Sequence, residues 1–260
     1  MSHPFLDAAV QAVALFLVGV VAGTLNVIAG GGSMLALPVL IFMGLPPTVA
    51  NGTNRIAILV QNVGASWSFH RRGLVEWRWL RPFVGPAVLG ALVGSVAAVR
   101  IGDLAFQRIL AVIMVVVAAW TLWRPGQGVG SVSNEGGVAP PKGARRRLVW
   151  LGFFVGGLWG GFIQAGVGFF VLALVAAAGL DLVRGNAVKV SMVALFSPIV
   201  LAIFIWSDKV DWSIGIALAL GNLLGGLLGV HLQVLKGQRW VRGVVTAVIV
   251  VFAIRLLMGG

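Results

Sequence analysis

The 260-residue sequence contains no cysteine and few charged residues. The missing cysteines exclude disulfides, thiol redox chemistry and cysteine-ligated metals. Charged residues make up 10% and hydrophobic residues 59% of the chain, whereas a soluble domain carries roughly 25% charged residues. Several apolar runs approach the roughly 20 residues that span a bilayer as a helix, and the ten-residue alternation of a membrane barrel is absent. The composition therefore predicts an all-α polytopic membrane protein.

Acidic residues are also scarce, with 7 Asp and Glu against 19 Lys and Arg. All of them fall at predicted segment ends or in loops, so no buried acid is available to carry a proton or sodium ion. The chain has no H-E-x-x-H, no paired intramembrane aspartates, and no serine with a histidine at comparable depth. We therefore predict a protein that is not an enzyme, with no metal and no cofactor. The acidic residues are Asp7, Glu76, Asp103, Glu135, Asp181, Asp208 and Asp211.

The net charge of +12 has a topological explanation. Most Lys and Arg lie in short loops, as the positive-inside bias produces in membrane proteins without an acidic partner. We predict a lipid bilayer around the protein and no nucleic-acid partner. The N-terminus lacks the basic residues of a cleaved signal, so the first segment should stay in the mature protein.

Two glycine-rich interruptions break otherwise apolar sequence. The first runs from Gly30 to Ser33, and the second, around Gly166 and Gly168, follows Gln164. Irregular backbone at membrane depth is tolerated only where protein buries it or where it lines a watery cavity. With the interruptions as boundaries, the chain divides into about 8–10 membrane segments. These cover residues 8–28, 33–43, 48–69, 82–99, 109–123, 148–164, 169–178, 183–206, 212–234 and 243–258.

An internal repeat relates the two halves. A shift of 135 residues aligns Gly31 with Gly166, Gly44-Leu45 with Gly179-Leu180, and Asn51 with Asn186. The division predicted is an N-terminal membrane repeat over 1–123, a cytoplasmic Gly/Ser/Pro-rich linker over 124–147, and a C-terminal membrane repeat over 148–260. The loop 70–81 is basic and its counterpart 207–211 is acidic, so the two should face opposite sides of the membrane. The repeats are then inverted.

Inversion requires an odd number of crossings in each half. Residues 8–28 and 33–43 therefore either cross separately, giving five crossings per half, or form a re-entrant hairpin, giving three. The sequence leaves both open. Inverted repeats with glycine-broken helices at corresponding positions indicate a transporter whose site lies between the repeats.

Two cations inside predicted membrane segments mark the candidate site. Arg55 and Lys189 lie at similar depth in the two halves, one position apart in the repeat register. The short helices after the interruptions begin with N–H groups that lack intrahelical partners and suit an anion's oxygens. The alternatives are that both cations snorkel to the interface and that the glycines only allow flexibility or close packing. The predicted substrate-binding residues are Asn26, Gly30, Gly31, Gly32, Ser33, Asn51, Thr53, Asn54, Arg55, Gln164, Gly166, Gly168, Asn186 and Lys189.

These residues predict a carrier of a small anion, with the oligomeric state left open. The alternatives are a transporter of carboxylate or neutral metabolites and a non-transporting membrane scaffold or sensor. The arrangement N-x-x-A-G-G-G, Pro38, Gly44 and Ala50-x-Gly52-Thr53, repeated after a basic linker, resembles the sulfite exporter TauE/SafE family over residues 8–258.

That resemblance implies a multi-pass protein of the bacterial inner membrane. It also implies two inverted halves that export sulfite or organosulfonates such as sulfoacetate. The second copy departs from the motif, with Ala173 in place of the proline and Val188 in place of the threonine. The particular substrate therefore stays open.

Overall fold

The chain folds almost entirely into helices. The structure is a computed structural model that describes the backbone of residues 4–28, 30–123 and 139–258, and the side chains of 9–28, 30–116 and 139–235. The described residues contain no strand. The helices are α1 (Pro4–Ile28), α2 (Ser33–Phe42), α3 (Pro47–Arg71), α4 (Trp77–Arg100), α5 (Asp103–Trp123), α6 (Gly143–Phe162), α7 (Val167–Ala177), α8 (Leu182–Trp206) and α9 (Trp212–Met258).

Four stretches are long and apolar enough to cross a membrane, and the predicted all-α polytopic membrane fold is confirmed. Two further apolar helices, α2 and α7, are too short to do so alone. Large apolar side chains are exposed on the outer faces of the helices, such as Leu17, Val93 and Ile216. In a membrane protein these faces meet lipid. The four long stretches are Ala9–Ile28, Trp77–Arg100, Leu182–Trp206 and Trp212–Leu235.

Turns at equivalent positions end the two short helices. Gly44 and Gly179 have φ of 96° and 98°, and each is followed by a leucine whose N–H reaches back to a carbonyl of the ending helix. Leu45 donates to Leu40 and Leu180 to Val175. This is the Schellman motif at the C-terminus of a helix. It favours glycine because the residue after the helix adopts a left-handed backbone conformation. The turns predicted at Gly44 and Gly179 are confirmed.

The principal helix pairs join one half to the other. Helix α1 packs along α9, and its counterpart α6 packs along α4; α3 packs against both α9 and α8. The closest approaches use glycines, because a Cβ at Gly90 or Gly94 would overlap α6 and one at Gly221 or Gly225 would overlap α1. Neither half therefore encloses its own core.

Helices α3 and α8 run antiparallel. Glu76, just after α3, forms an ion pair with Arg184 near the start of α8. At the other end Asp211, just after α8, donates its N–H to Thr53 near the start of α3, at 2.9 Å. The loops that follow the two helices thus lie at opposite ends of the pair. Inversion of the halves across a membrane stays a prediction, and this arrangement agrees with it.

Helix α2 folds back beside α1. A Cβ on Gly32 would overlap Ala22 and Asn26 of α1, and Ala36 and Leu40 of α2 share a core cluster with α1. The chain therefore reverses direction at the first interruption. This return is compatible with both five and three crossings per half, and the number of crossings stays a prediction.

Two boundaries differ from those expected. Helix α6 begins at Gly143, so residues 143–147, at the end of the predicted linker, are helical; residues 124–138 of that linker lie outside the described part. Helix α9 is continuous from Trp212 to Met258, without the predicted turn over 236–242. Both stretches are basic but lack proline, and basic residues by themselves do not end a helix. In both stretches the basic residues led us to expect a loop, whereas the backbone is helical.

Candidate functional site

Side chains from α3 cap the C-terminal end of α6. The guanidinium of Arg55 donates to the carbonyls of Gly160 and, at 2.9 Å, Gly161. The Nδ2 of Asn51 donates to the next carbonyl, that of Phe162, at 2.9 Å. The last carbonyls of a helix lack intrahelical partners and carry a partial negative charge, so a cation and an amide satisfy them. We name Arg55 with Asn51 the α6 clamp.

Arg55 has further contacts around the second interruption. Its Nη1 lies 3.3 Å from Gln164 Oε1 and its Nη2 lies 3.2 Å from Asn51 Oδ1. The guanidinium also lies over the ring of Phe204, 5.3 Å from the ring centre. Within the described part of the chain the Nε of Arg55 has no hydrogen-bond partner. One buried donor is thus left available on this side chain.

Side chains from α8 cap the end of α1 in the same way. The Nζ of Lys189 lies 2.8 Å from the carbonyl oxygen of Asn26 and 3.0 Å from that of Val27. The Nδ2 of Asn186 donates to the carbonyl of Ile28 at 3.3 Å. We name Lys189 with Asn186 the α1 clamp. Each clamp belongs to one half of the chain and holds a broken helix of the other.

Neither cation reaches the molecular surface. Arg55 is 2% exposed and Lys189 is 3% exposed, and both direct their donors at internal carbonyls. The snorkelling alternative is therefore wrong for both side chains. Arg55 and Lys189 are offset by one position in the repeat alignment, and a different spacing from the neighbouring asparagine compensates for this offset. Arg55 follows Asn51 by four residues and Lys189 follows Asn186 by three, and both spacings place two side chains on one helix face.

The two glycine interruptions meet in the middle of the molecule. A Cβ on Gly30 would overlap the backbone of Gly168, and a Cβ on Gly168 would overlap Gly30. Gly30 also has φ of 86°, which disfavours any other residue. The ring of Phe169 lies beside Gly31. The glycines are needed for this close contact between the halves, which we name the glycine junction.

The short helices begin beside this junction. Gly32 caps α2, and Gly166, with φ of 78°, caps α7. The Oγ of Ser33 accepts a hydrogen bond from Asn54 Nδ2 at 3.2 Å. The first N–H groups of a helix have no intrahelical acceptor. The predicted backbone donors and the two clamps thus lie around one central region.

One predicted residue lies elsewhere, and one participant was not predicted. Thr53 faces the turn before α9, where its Oγ1 accepts from the N–H of Asp211. Gln61 accepts from the side chain of Asn26 at 3.2 Å and was not among the predicted site residues. The helix-end carbonyls that the clamps hold were also missed, because backbone acceptors carry no signal in residue identity.

The centre of the molecule is closely packed around the cations. A cavity of about 10 Å³ lies beside Lys189, about the size needed for one water, and its other lining residues, such as Phe153 and Met192, are apolar. The ion pairs found in the described residues join Arg184 to Glu76 and Asp181, away from both clamps. Within that part of the chain, helix ends rather than carboxylates face the two cations.

Comparison with known proteins identifies the family. The sequence model described as "Sulfite exporter TauE/SafE" matches residues 15–256. The chain belongs to this family. No solved structure matches the TauE/SafE chain significantly.

Curated relatives cover nearly the whole TauE/SafE chain. "Probable membrane transporter protein ORF9" of Sinorhizobium sp is 28% identical over 244 residues, which span 94% of this chain and 91% of that protein. "Probable membrane transporter protein YfcA" of Escherichia coli K12 is 27% identical over 249 residues, spanning 94% and 88%. A "Probable membrane transporter protein" of Haemophilus influenzae is 27% identical over 237 residues, spanning 89% and 88%. The chain is thus a membrane transporter of the TauE/SafE family.

Proposed function

We propose that this transporter carries a small anion, sulfite or an organosulfonate such as sulfoacetate, at a site between two inverted halves. The observation that carries the proposal is the pair of buried cations, Arg55 and Lys189, with no carboxylate beside them in the described residues. Each faces a helix C-terminus equivalent to roughly half a negative charge, which leaves a net positive centre. An anion is the ligand that such a centre attracts.

The proposed ligand shell combines charge with backbone donors. Arg55 and Lys189 act as counter-ions, and the buried Nε of Arg55 is a donor free for an oxyanion. The N–H groups of residues 31–33, 166 and 168 supply further donors next to the glycine junction, whereas that of Gly30 already donates to the carbonyl of Asn26 at 2.8 Å. The Nδ2 of Asn54, which donates to Ser33 Oγ beside the start of α2, carries a second hydrogen for an oxyanion. A compact oxyanion suits donors arranged in this way.

Export from a bacterial inner membrane is the proposed direction and location. The relatives named above come from bacteria, and the family is described as sulfite exporters. An interior-negative potential favours the exit of an anion by about 2.3 kcal/mol per charge per 100 mV. Export therefore needs no coupling ion.

Flux in proteoliposomes tests the substrate. We expect saturable uptake of labelled sulfite or sulfoacetate by the wild type and at least a ~100-fold loss in Arg55→Ala, since a buried charge-assisted contact contributes several kcal/mol. Arg100→Ala is the matched control, because Arg100 is exposed at the end of α4. Carboxylate flux that is indifferent to Arg55→Ala would indicate a metabolite carrier. Absence of any saturable flux would indicate a scaffold or sensor.

Cysteine labelling tests the inverted arrangement. The chain has no cysteine, so a single thiol at Ser207 or Gly73 is the only one present. A membrane-impermeant reagent applied from outside should modify the Ser207→Cys protein and miss the Gly73→Cys protein. The reverse pattern at either site contradicts inversion.

A further inference from the structure

The two clamps and the proposed anion require the same donors. We propose that an oxyanion bound at the centre displaces the helix-end carbonyls from Arg55 and Lys189, so that loading releases the broken helices α6 and α1. This inference rests on the proposed function and adds to it the trigger of the conformational change. In the described state both cations are occupied by carbonyls of the opposite half.

The exchange is favourable at the level of single contacts. A hydrogen bond from a cation to an ionised oxyanion is roughly twice as strong as one between neutral groups, and a guanidinium can hold two anion oxygens at once. A backbone carbonyl is the weaker acceptor. An anion that reaches Arg55 therefore takes over donors that Gly160 and Gly161 now hold. Those carbonyls then need water or a new partner, which they gain only if the end of α6 moves.

Each clamp joins one half to the other, so one anion can release the ends of both broken helices. Arg55 lies on α3 of the first half and holds α6 of the second, while Lys189 lies on α8 and holds α1. The ends of both broken helices lead directly into the glycine junction, where Gly30 contacts Gly168. One anion between the cations loosens both sides of this junction. Ligand binding at the centre is thereby coupled to relative movement of the halves.

Asn51 and Asn186 are positioning residues in this scheme. Neither carries charge, yet each holds the last carbonyl of a broken helix, that of Phe162 or of Ile28. Removing one amide should weaken one clamp while leaving both positive charges in the protein, although Asn51→Ala also removes one acceptor of Arg55. Variants of the asparagines therefore distinguish the effect of the helix-end contacts from the effect of the positive charges on anion binding.

The test uses single thiols at the two helix ends. Ile163, next to the end of α6, and Ile28, the last residue of α1, are both buried, and the chain contains no other thiol. The full-length protein in proteoliposomes carries Ile163→Cys or Ile28→Cys, and the rate of modification by a small methanethiosulfonate reagent is measured with and without sulfoacetate. Sulfite is not used because it reacts with the reagent.

We expect sulfoacetate to raise the rate about 10-fold at both thiols, which corresponds to about 1.4 kcal/mol in the opening equilibrium. Without the anion, Asn51→Ala should raise the rate only at Ile163→Cys and Asn186→Ala only at Ile28→Cys. Asn62→Ala is the matched control, because this buried asparagine bonds within its own helix, to Ile58 at 2.7 Å. It should leave both rates unchanged.

Two results would overturn the inference. One is a rate that sulfoacetate does not change although the same vesicles transport it. The other is an equal increase at both thiols in each asparagine variant, which would indicate general loosening of the fold. Failure of the proposed function has a different signature, namely no sulfoacetate flux in the wild type while the asparagine variants still show their separate effects.

Discussion

The α6 clamp and the α1 clamp perform one task with different chemistry. Arg55 contacts two carbonyls, Gln164 and Asn51, whereas the hydrogen bonds of Lys189 go to two carbonyls. The asparagine bond is also shorter in the α6 clamp, at 2.9 Å against 3.3 Å. A planar guanidinium can hold several acceptors at fixed angles, and an ammonium acts as a point charge. The α6 clamp is therefore the more strongly held of the two.

The two halves are more similar in the hydrogen bonds that their clamps form than in the residues that form them. The cations are one position apart in the repeat, and their hydrogen-bond targets on α6 and α1 are displaced by one position as well. Capping a helix end needs a donor of suitable reach rather than a particular side chain. The following predictions test how far the two halves are equivalent.

The largest effect is expected at the glycine junction, where the halves should respond alike. Gly30→Ala and Gly168→Ala each place a Cβ inside the other's backbone, which no side-chain movement can relieve. We expect almost no monodisperse protein from either variant in size-exclusion chromatography. Gly44→Ala is the control, because it has φ of 96° but open space around it, and should cost only the roughly 1–2 kcal/mol of left-handed strain. Normal yields of Gly30→Ala would contradict the contact.

The clamps themselves should differ in the cost of removing the charge. Arg55→Met leaves four acceptors without a donor, at about 1–3 kcal/mol for each buried unsatisfied group. Lys189→Met leaves only the carbonyl of Val27 without one, because the carbonyl of Asn26 still accepts from the N–H of Gly30. We expect the thermal midpoint in detergent to fall further for Arg55→Met. Equal shifts would show that the additional contacts of Arg55 contribute little. Arg100→Met serves as the exposed control.

The two ends of the α3–α8 pair should also respond differently. Thr53→Val leaves the half-buried N–H of Asp211 without its acceptor and should cost about 1–3 kcal/mol. Glu76→Gln breaks an ion pair whose side chains are each 23% exposed and should cost less than about 1 kcal/mol, with a further decrease at high salt. Thermal unfolding at two salt concentrations measures both. A larger loss for Glu76→Gln would reverse the order.

The smallest effect concerns pH at the start of α9. The N–H of Ile214 and the hydroxyl of Ser213 donate to Asp211 and lower the pKa of its carboxyl. A lowered pKa in the folded state stabilises the protein above the unfolded pKa of about 4, and this stabilisation is lost as the pH falls through the folded value. Wild type should therefore melt slightly above Asp211→Asn at pH 6 and converge with it as the pH falls through the folded pKa. A constant gap would contradict the linkage.

Local signals in the sequence predicted most helix limits. Ser33, Gly44 and Trp212 lie where a break, turn or start was expected, because glycine, proline and helix caps act over a few residues. The limits inferred from charge were wrong, as at Gly143 and over 236–242. Loop charge reports the side of the membrane, and it does not determine where a helix ends.

The site was predicted in outline but not in its contacts. Arg55, Asn51 and Gln164 do lie together, and so do Lys189 and Asn186, as their depth in the two halves suggested. Thr53 lies apart from these contacts, because its Oγ1 accepts from the N–H of Asp211, and its predicted role at the site stays a prediction. Pairing of each clamp with the opposite half was not predictable, since the acceptors are backbone carbonyls.

The sequence alone determined the membrane class, the two glycine interruptions and the presence of one cation inside each of two apolar segments, because composition, glycine and charge act locally. Only the tertiary structure decided that the interruptions touch at Gly30 and Gly168, and that each cation closes a helix of the other half. These facts depend on how α1 packs on α9 and α6 on α4. Packing between distant segments places backbone carbonyls, which are the same in every residue, beside particular side chains.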